Sequence, residues 1–479
     1  MTDIRYPSPF DQKVLAREAP GSTPARVNVT VPTVTRPGEP FDVNIAVADE
    51  AGYPSVACDA AVRLRGPFRA GEVTIPFEAG RPAVATVGPV TIDERGLHRF
   101  EADLDGRAYP GTPTCCTADP AVRPIYWGDP HVHTVLSNCH PDRCRSLLFC
   151  FVAARHFAHL DWVTAADHVS NGRCELARWK EQAAMSNAFN DPPAFVTVPG
   201  YEASLQGGAG GDNNVYLRRW PEMFVDVYED GDTRVLAERL AERVGDGNVF
   251  LVPHHTTRTG KHGEIPAAIY PGPRRMPVVE IHSKWGTSEY RGNPAPLETI
   301  HHGPSYVVDL LGRGLRLGFI GGTDTHATMP AGFGVERLDR LPGLTAVRAE
   351  RLTRDSVFDA IAARDCYATS LERIYLDVTV AGRRPGRELA GADVPRPRRI
   401  DVTAAAQSDI TAIDIVRNGR TLHTHTPDTW HGRVSADDND DLADVALTGE
   451  DGRRFVYYYV RVTCAGGAQA WSSPVWIEL

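Results

Sequence analysis

Short runs in which apolar and polar residues alternate dominate the first quarter of the chain. The segment ARVNVTVPTV alternates valine with Asn28 and Thr30, which is the period of a half-buried strand. Gly and Pro interrupt such runs about every 8–12 residues, a spacing typical of β-sandwiches. We therefore predict an extended arm over residues 1–25, which is rich in Pro, Ser and Ala, and an Ig-like β-sandwich over residues 26–122.

The pattern changes over residues 123–371, where apolar runs alternate with helical stretches. WVTAADH, AFVTVPGYE, NVFLVPHH and RLGFIGGTDTH are strand-like, whereas CELARWKEQAAMSNAF and TRVLAERLAERVG are helical. This alternation predicts βα units and a parallel sheet, in which the carboxyl ends of the strands form the active face. Alternating β-rich runs return over residues 372–479, where we predict a second β-sandwich.

Composition excludes several classes of protein. The 479 residues carry a net charge of −10, which argues against bulk nucleic-acid binding. No apolar run approaches the roughly 18 residues of a membrane helix, and the N-terminus has no secretory h-region. The nine cysteines include no CxxC pair, so we expect neither a disulfide framework nor a structural zinc finger. We therefore also expect a cytoplasmic location.

Histidine is concentrated in the central segment. Thirteen of the 17 histidines lie between residues 131 and 326, which indicates metal or acid–base chemistry. The first motif holds His131 and His133, whose i, i+2 spacing puts both on one face of a strand. Such a pair also arises by chance on protein surfaces. In the second motif His168 is the better ligand candidate, and Asp167 is an alternative ligand or a helix N-cap.

Four further motifs also end apolar runs. Glu202 could bridge two cations or be an exposed loop glutamate, and at least one of His254 and His255 is expected to bind metal. Glu280 and His282 share a strand face. His282, nearer the carboxyl end of the strand, is the likelier site residue and a possible metal ligand, and Glu280 is expected to support a ligand. The last motif repeats the i, i+2 spacing with Asp324 and His326. Each motif is weak alone, but six of them in one segment predict a metal site.

The ordered set HVHT, AADH, the Glu of GYE, VPHH and GTDTH resembles the PHP (polymerase and histidinol phosphatase) superfamily. YWGDPHVHT, VVEIHSKWGTSE and RDCYATSLERIYLDV are similar to a PHP-like branch of unknown function that also carries trailing β-sheet sequence. The resemblance covers about residues 125–370. It implies a distorted (β/α)7 TIM-like barrel, here flanked by β-sandwiches, that holds two or three Mn, Zn or Fe ions, often in a phosphoesterase.

The resemblance also implies metal-binding roles for individual residues. His131, His133 and Asp324 would hold one ion, and Glu202 would bridge it to a second ion held by one of the His254–His255 pair. His168 and His326 would hold a third. Where the family often has another histidine, this chain has Cys139 and His140, and Asp212 or Asn213 stands where the family tends to place a further one. A thiolate at Cys139 would favour zinc or iron over manganese.

The amidohydrolase superfamily is an alternative, because it also begins with an HxH motif. Most of its binuclear members bridge their ions with a carboxylated lysine. The chain has only four lysines, and none ends a strand between His168 and His254, where Glu202 stands. The PHP interpretation is therefore preferred.

The predicted activity is hydrolysis by a metal-bridged hydroxide, with a small anionic substrate and most simply a phosphate ester. Glu202 would take part in catalysis, and His255, His282 or His140 would protonate the leaving group. Four cationic side chains near the strand ends would bind the anion: Arg173, Arg258, Lys261 and Lys284. Hydrolysis of a C–N or C–O bond in an amide, ester or lactone and a non-catalytic binding scaffold remain alternatives. Dimerisation through the sandwiches also stays open.

Overall fold

The computed structural model describes residues 2–18, 20–206, 208–258, 265, 267–297, 305–332, 341–370 and 372–479. The chain is mostly β, with 40% of it in strands and 16% in helices. Within the described residues, no helix combines the length and hydropathy that crossing a bilayer requires.

Two facing antiparallel-rich sheets form the N-terminal region. The first has the order β1 (Asp3–Arg5), β7 (Val84–Val90), β4 (Phe41–Ala48) and β2 (Arg26–Thr30). The second has the order β3 (Val34–Thr35), β9 (Arg107–Cys116), β8 (Gly96–Leu104), β5 (Ala61–Arg65) and β6 (Glu72–Pro76). Alternate valines of β2 and β4 share one buried core with Leu64 and Phe100 of the second sheet. The first 25 residues, predicted to be extended, contain helix α1 (Pro9–Glu18) as well as β1.

A 14-stranded sheet runs from the central segment into the C-terminal region. Its main path is β12 (Val196–Thr197), β11 (Trp162–Ala165), β10 (Ile125–Val132), β19 (Gly343–Arg348), β20 (Cys366–Ser370), β28 (Gln469–Ser472), β27 (Arg454–Cys464), β23 (Arg398–Arg417) and β21 (Tyr375–Val380). Joined to this path are β22 (Glu388–Ala390), β24 (Arg420–His425), β25 (Thr429–Asp438), β26 (Leu447–Thr448) and β29 (Val475–Glu478). The pairing of β20 with β28 connects the segments predicted as 123–371 and 372–479 by backbone hydrogen bonds.

The rest of the central segment forms two three-stranded sheets and most of the helices. One sheet is the antiparallel set β13 (Gly200–Ser204), β14 (Asp212–Leu217) and β15 (Val249–Pro253), and the other is β17 (Gly286–Thr287), β16 (Val278–Ser283) and β18 (Gly318–Gly321). The remaining helices are α2 (Leu147–Val152), α3 (Leu176–Phe189), α4 (Thr233–Val244), α5 (Val307–Gly312), α6 (Arg354–Ala362) and α7 (Leu442–Val445).

The predicted (β/α)7 TIM-like barrel is wrong. The strands of the described central segment fall into three separate sheets, and only β10–β11, β11–β12 and β16–β18 are parallel pairs. Connection length explains the error at β13 and β14. The residues between Ser204 and Asp212 are too few for a parallel crossover, which needs roughly a dozen or more. These strands therefore pair as a hairpin, in which Glu202 lies on β13 and the polar residues 212–214 begin β14.

Candidate metal centre

Glu202 of β13 lies at the centre of a buried cluster of histidines. Its Oε2 atom is 3.2 Å from His133 Nε2 and 3.2 Å from His168 Nδ1. Its Oε1 atom is 3.3 Å from His254 Nε2, just after β15. The side chain of Glu202 is only 3% exposed, so these imidazoles replace water around the carboxylate. Histidines from three separate chain segments thus converge on one carboxyl group.

Asp324 supplies a second carboxylate on the other side of the first histidine pair. Its Oδ1 atom is 3.3 Å from His133 Nε2 and 3.6 Å from His131 Nε2, and its Oδ2 atom is 3.0 Å from His255 Nε2. Backbone pairing sets this arrangement. Asp324 N donates to His131 O at 2.8 Å, and His133 N donates to Thr325 O at 3.0 Å. The segment after β18 therefore extends alongside β10 and aligns the two i, i+2 motifs.

Hydrogen bonds on the far side of the rings fix the orientation of the first two histidines. His131 Nδ1 is 3.0 Å from Glu280 Oε2. His133 Nδ1 is 2.9 Å from Ser137 Oγ, which donates its own proton to Asp167 Oδ1 at 2.7 Å. Both Nδ1 atoms must then be donors, so both Nε2 atoms face the site, where each can hold either a proton or a cation. Support of this kind is typical of histidines that bind metals.

The residues of this cluster fit divalent cations. The Nε2 atoms of His131 and His133 lie 3.2 Å apart, and both face two carboxylates. The nitrogen and oxygen lone pairs repel one another unless a cation or a proton lies between them. Among the residues that the structure describes, four sets have ligand atoms within 4.8 Å of one another: His133, Cys139, His168 and His326; His131, His133 and Asp324; His131, Glu202 and His254; and Asp212, His254 and His255. Imidazole, carboxylate and one thiol suit zinc, iron or manganese.

The electrostatics of the buried cluster keep its carboxylates ionised. Burial alone would raise the pKa of Glu202, but His168 and His254 hold it well below its usual value. The pKa of Asp324 is likewise depressed, against the effect of burial, by His131 and His133. Burial alone would lower the pKa of His133, but Asp324 and Glu202 raise it to about 9. The protein without metal therefore favours a proton on His133, and a cation would compete with that proton.

Backbone strain occurs at two residues of the centre. His255 and Asp324 have φ angles of 55° and 51°, in the left-handed region. This conformation costs a non-glycine residue roughly 1–2 kcal/mol. The strain turns both side chains towards one another, with Nε2 and Oδ2 only 3.0 Å apart. Strained residues of this kind cluster at functional sites.

A cavity of about 350 Å³ opens onto the centre. Its lining includes Glu202, Asp324 and His255 together with Arg173 and Arg258. Beside it, the Arg258 guanidinium lies 5.6 Å from the centre of the Trp285 ring, and Lys284 Nζ lies 4.6 Å from the same ring. Lys284 Nζ is also 3.2 Å from His326 Nδ1. The buried carboxylates are thus reached through a mouth that carries positive charge.

Some predicted residues lie away from the centre or have other contacts. His282 stacks on Trp471 and donates from Nε2 to the carbonyl of Leu341 at 2.6 Å, and it does not line the described cavity. Asp167 accepts hydrogen bonds from Thr134 and Ser137, so it supports His133. His140 is exposed, and its ring lies 4.8 Å from that of His326. Lys261 lies outside the described residues.

Two residues of the site were not found by sequence reasoning. Asp129 is fully buried and accepts hydrogen bonds from Thr323 and from the backbone of His131, and burial raises its pKa to about 6. Its position two residues before the HxH motif was the available signal. Cys144 donates from Sγ to the carbonyl of His326 at 3.1 Å. Nothing in the local sequence marks Cys144, because its neighbours come from a distant segment.

Comparison with known proteins gives relatives without a stated activity. No protein-family model matches the chain. An uncharacterized protein of Chlamydia pneumoniae is 25% identical over 480 residues, which cover 97% of this chain and 76% of that protein. Uncharacterized proteins of Chlamydia muridarum and Chlamydia trachomatis are each 38% identical over 213 residues, or 42% of this chain. The match covers 34% of the length of each of these two relatives.

Solved structures show only distant similarity. Two β-glucuronidase structures from Bacteroides uniformis align at 9% sequence identity with TM-scores of 0.19 and 0.22. The alignments cover 95% and 94% of this chain and 60% of each of those chains. Scores this low establish no common fold.

Proposed function

We propose that this protein is a metal-dependent hydrolase of the PHP type that acts on a small anionic substrate, in the first place a phosphate ester. The observation that carries the proposal is the convergence of histidines from separate segments on two buried carboxylates, Glu202 and Asp324, at the base of a cavity with cationic walls. Burying carboxylates and imidazoles close together costs free energy unless a cation balances their charge.

The residues that would hold the cations fall into three groups. His131, His133 and Asp324 form one, and Glu202 connects it to a second group through His254. A third group combines His133 with Cys139, His168 and His326. Divalent ions bound there would lower the pKa of a water molecule and neutralise charge on the substrate.

Other side chains would bind the substrate and move protons. Arg173 and Arg258 line the cavity and can each make paired hydrogen bonds to a phosphoryl group. Trp285 restrains Arg258 through the cation–π contact, so the Arg258 side chain loses less conformational entropy when it binds the substrate. His255 reaches both Asp324 and the cavity, so we assign it the transfer of a proton to the leaving group.

Metal content is the first test. The protein purified without chelator or added metal should contain about two to three equivalents of Mn, Zn or Fe per chain, measured by elemental mass spectrometry. Less than about 0.3 equivalents, with no gain on reconstitution, would contradict the metal centre and favour a binding scaffold.

The substitution Glu202→Gln tests the centre directly. It keeps the shape of the side chain but removes the charge that His133, His168 and His254 approach, so we expect metal affinity to fall at least about 10-fold and phosphatase activity at least about 100-fold. Glu175→Gln, at an exposed position before α3, is the matched control. Unchanged turnover in Glu202→Gln would contradict the mechanism. Cleavage of carboxylic esters, amides or lactones but no phosphate ester would contradict the substrate class alone.

A further inference from the structure

A short loop beside the centre holds two cysteines. It follows the 3-10 turn Val135–Ser137 and begins with Asn138 in a left-handed conformation (φ 53°). Cys144 N donates to the carbonyl of His140 at 2.9 Å, and Val135 N donates to the carbonyl of Arg145 at 3.0 Å. The loop is thus closed by its own backbone, and it brings its two thiols to the same side.

Both thiols contact the candidate third metal group. The Cys139 sulfur is within 4.8 Å of ligand atoms of His133, His168 and His326. Cys144 Sγ lies 3.1 Å from the carbonyl oxygen of His326. Both sulfurs therefore lie beside the same residue, Cys139 at the His326 ring and Cys144 at the His326 backbone carbonyl. One thiol is thus a candidate ligand, and the other belongs to the same short loop.

The two thiols differ in access. Cys139 lines the cavity, whereas Cys144 is 5% exposed and lies behind it. Of the nine cysteines, all of which are described and free, Cys139 is the one that lines this cavity. A small oxidant that enters with the substrate would meet Cys139 first, and Cys144 is placed to react next. This order is that of a peroxide-sensing pair with a resolving cysteine.

We propose that Cys139 and Cys144 form a reversible disulfide that withdraws Cys139 from the His133–His168–His326 group, so that the third metal position is under redox control. This inference rests on the proposed metal centre. The oxidant is a hydroperoxide such as hydrogen peroxide. The Cys139 sulfur attacks one peroxide oxygen, the O–O bond breaks, and a sulfenic acid and water form. Cys144 then attacks the Cys139 sulfur, the S–S bond forms and a second water leaves.

The electron balance closes without another reactant. Two thiols lose two electrons and two protons, and hydrogen peroxide is reduced to two molecules of water. A dithiol reductant such as dithiothreitol reverses the step by thiol–disulfide exchange. Because Cys139 and Cys144 belong to the same short loop and both lie beside His326, disulfide formation at a sulfur–sulfur distance of about 2.05 Å requires movement within that loop and not of another element.

Peptide mapping of the full-length, metal-loaded protein tests the pair. Trypsin cleaves after Arg143 and after Arg145, so a disulfide keeps the Cys144–Arg145 dipeptide attached to the peptide that ends at Arg143. We expect this linked peptide after treatment with hydrogen peroxide and alkylation, together with loss of about one metal equivalent per chain. Dithiothreitol followed by added metal should restore both the separate peptides and the metal content.

Two variants separate the pair from general oxidation. Cys144→Ser keeps the Cys139 ligand, so it should bind metal normally but form no linked peptide, and its Cys139 sulfenic acid should react with dimedone. Cys174→Ser should respond like the unmodified protein. Absence of the linked peptide, or equal and dithiothreitol-reversible metal release from Cys144→Ser, would overturn the inference. Absence of metal before oxidation would instead contradict the proposed function, and it would be recognised before any peroxide is added.

Discussion

A single glycine lets the backbone after β18 lie close to His131 and Glu280. Gly322 follows β18, and a Cβ atom there would lie 2.6 Å from Glu280 Oε2 and 2.7 Å from His131 Cβ. Both neighbours belong to the hydrogen bond that orients the His131 ring. Any side chain at position 322 must therefore displace either the histidine or the carboxylate that supports it.

Gly322→Ala should lower both stability and metal binding. Forcing a methyl group into this contact costs about 1–3 kcal/mol, and the shift of His131 should reduce metal content. Urea denaturation and elemental analysis measure the two effects. Gly312→Ala is the control, since a Cβ at the end of α5 meets nothing within 4 Å. A Gly322→Ala protein with unaltered metal content would show that His131 is not held by this contact.

The individual ligand candidates were largely visible in the sequence, because their motifs are local. The two i, i+2 pairs are readable from a few residues, and so is Glu202 after its strand. Cys144 was not visible, since its partner His326 lies far away along the chain, and the only local signal for Asp129 was its position two residues before the HxH motif. The displacement of His282 towards Trp471 also depends on a distant strand. Residue type and spacing predict candidates, whereas packing decides which of them face the cavity.

At the scale of elements, a buried glutamate joins the C-terminal strands to the central segment. Glu289 follows β17 and is 1% exposed. It accepts hydrogen bonds of 2.7 Å from Tyr459 and Arg461 of β27 and from Trp471 Nε1 of β28. Three donors fully satisfy a carboxylate that would otherwise be costly to bury. Trp471 in turn stacks on His282 of β16, so this network supports the strand next to the metal centre.

Arg461→Ala should destabilise the protein strongly. It leaves the buried charge of Glu289 without its cationic partner, which typically costs about 3–5 kcal/mol. The free energy of unfolding from urea titrations measures the loss. Arg420→Ala, at an exposed position on β24, should change that energy by less than about 0.5 kcal/mol. Equal effects of the two substitutions would show that the network contributes nothing specific.

The strands themselves were easier to predict than their partners. Apolar runs marked β11, β15 and β18, but the sequence contains no direct sign of which strand pairs with which. Strand β14 was not predicted, because its sequence DNNVYL begins with three polar residues and follows β13 after only a short connection. Pairing is decided by connection length and by burial on both faces, and a barrel inferred from motif order ignores both.

At the scale of the whole molecule, acid should lower the stability of the fold through the ring of His159. The Nε2 atom of the His159 ring is buried from solvent. The ring lies near Arg373, which donates hydrogen bonds to the carbonyls of Ala158 and His159. Burial and the charge of Arg373 lower the pKa of His159 to about 3. In the unfolded chain its pKa is about 6.5. The unfolded state therefore binds the extra proton first as the pH falls.

The stability contributed by neutral His159 should be complete above pH 6.5 and decline as the pH falls towards 3. The slope attributable to this group approaches about 1.4 kcal/mol per pH unit. His159→Asn should flatten the dependence between pH 6.5 and 4, and asparagine tolerates the left-handed φ of 50° at this position. Urea denaturation at several pH values measures the difference. His423→Asn, exposed on β24, should leave the slope unchanged.

The continuous sheet from β10 to β21 bears on how the protein is made in the cell. β20 has β19 on one side and β28 on the other, and β28 is synthesised long after the last ligand segment. While the ribosome is still translating the intervening residues, β20 has an open edge and His282 lacks the indole of Trp471. Strand β16, which also carries the Glu280 that supports His131, therefore lacks this contact on the nascent chain, so we expect the centre to complete its assembly only after the C-terminal strands emerge.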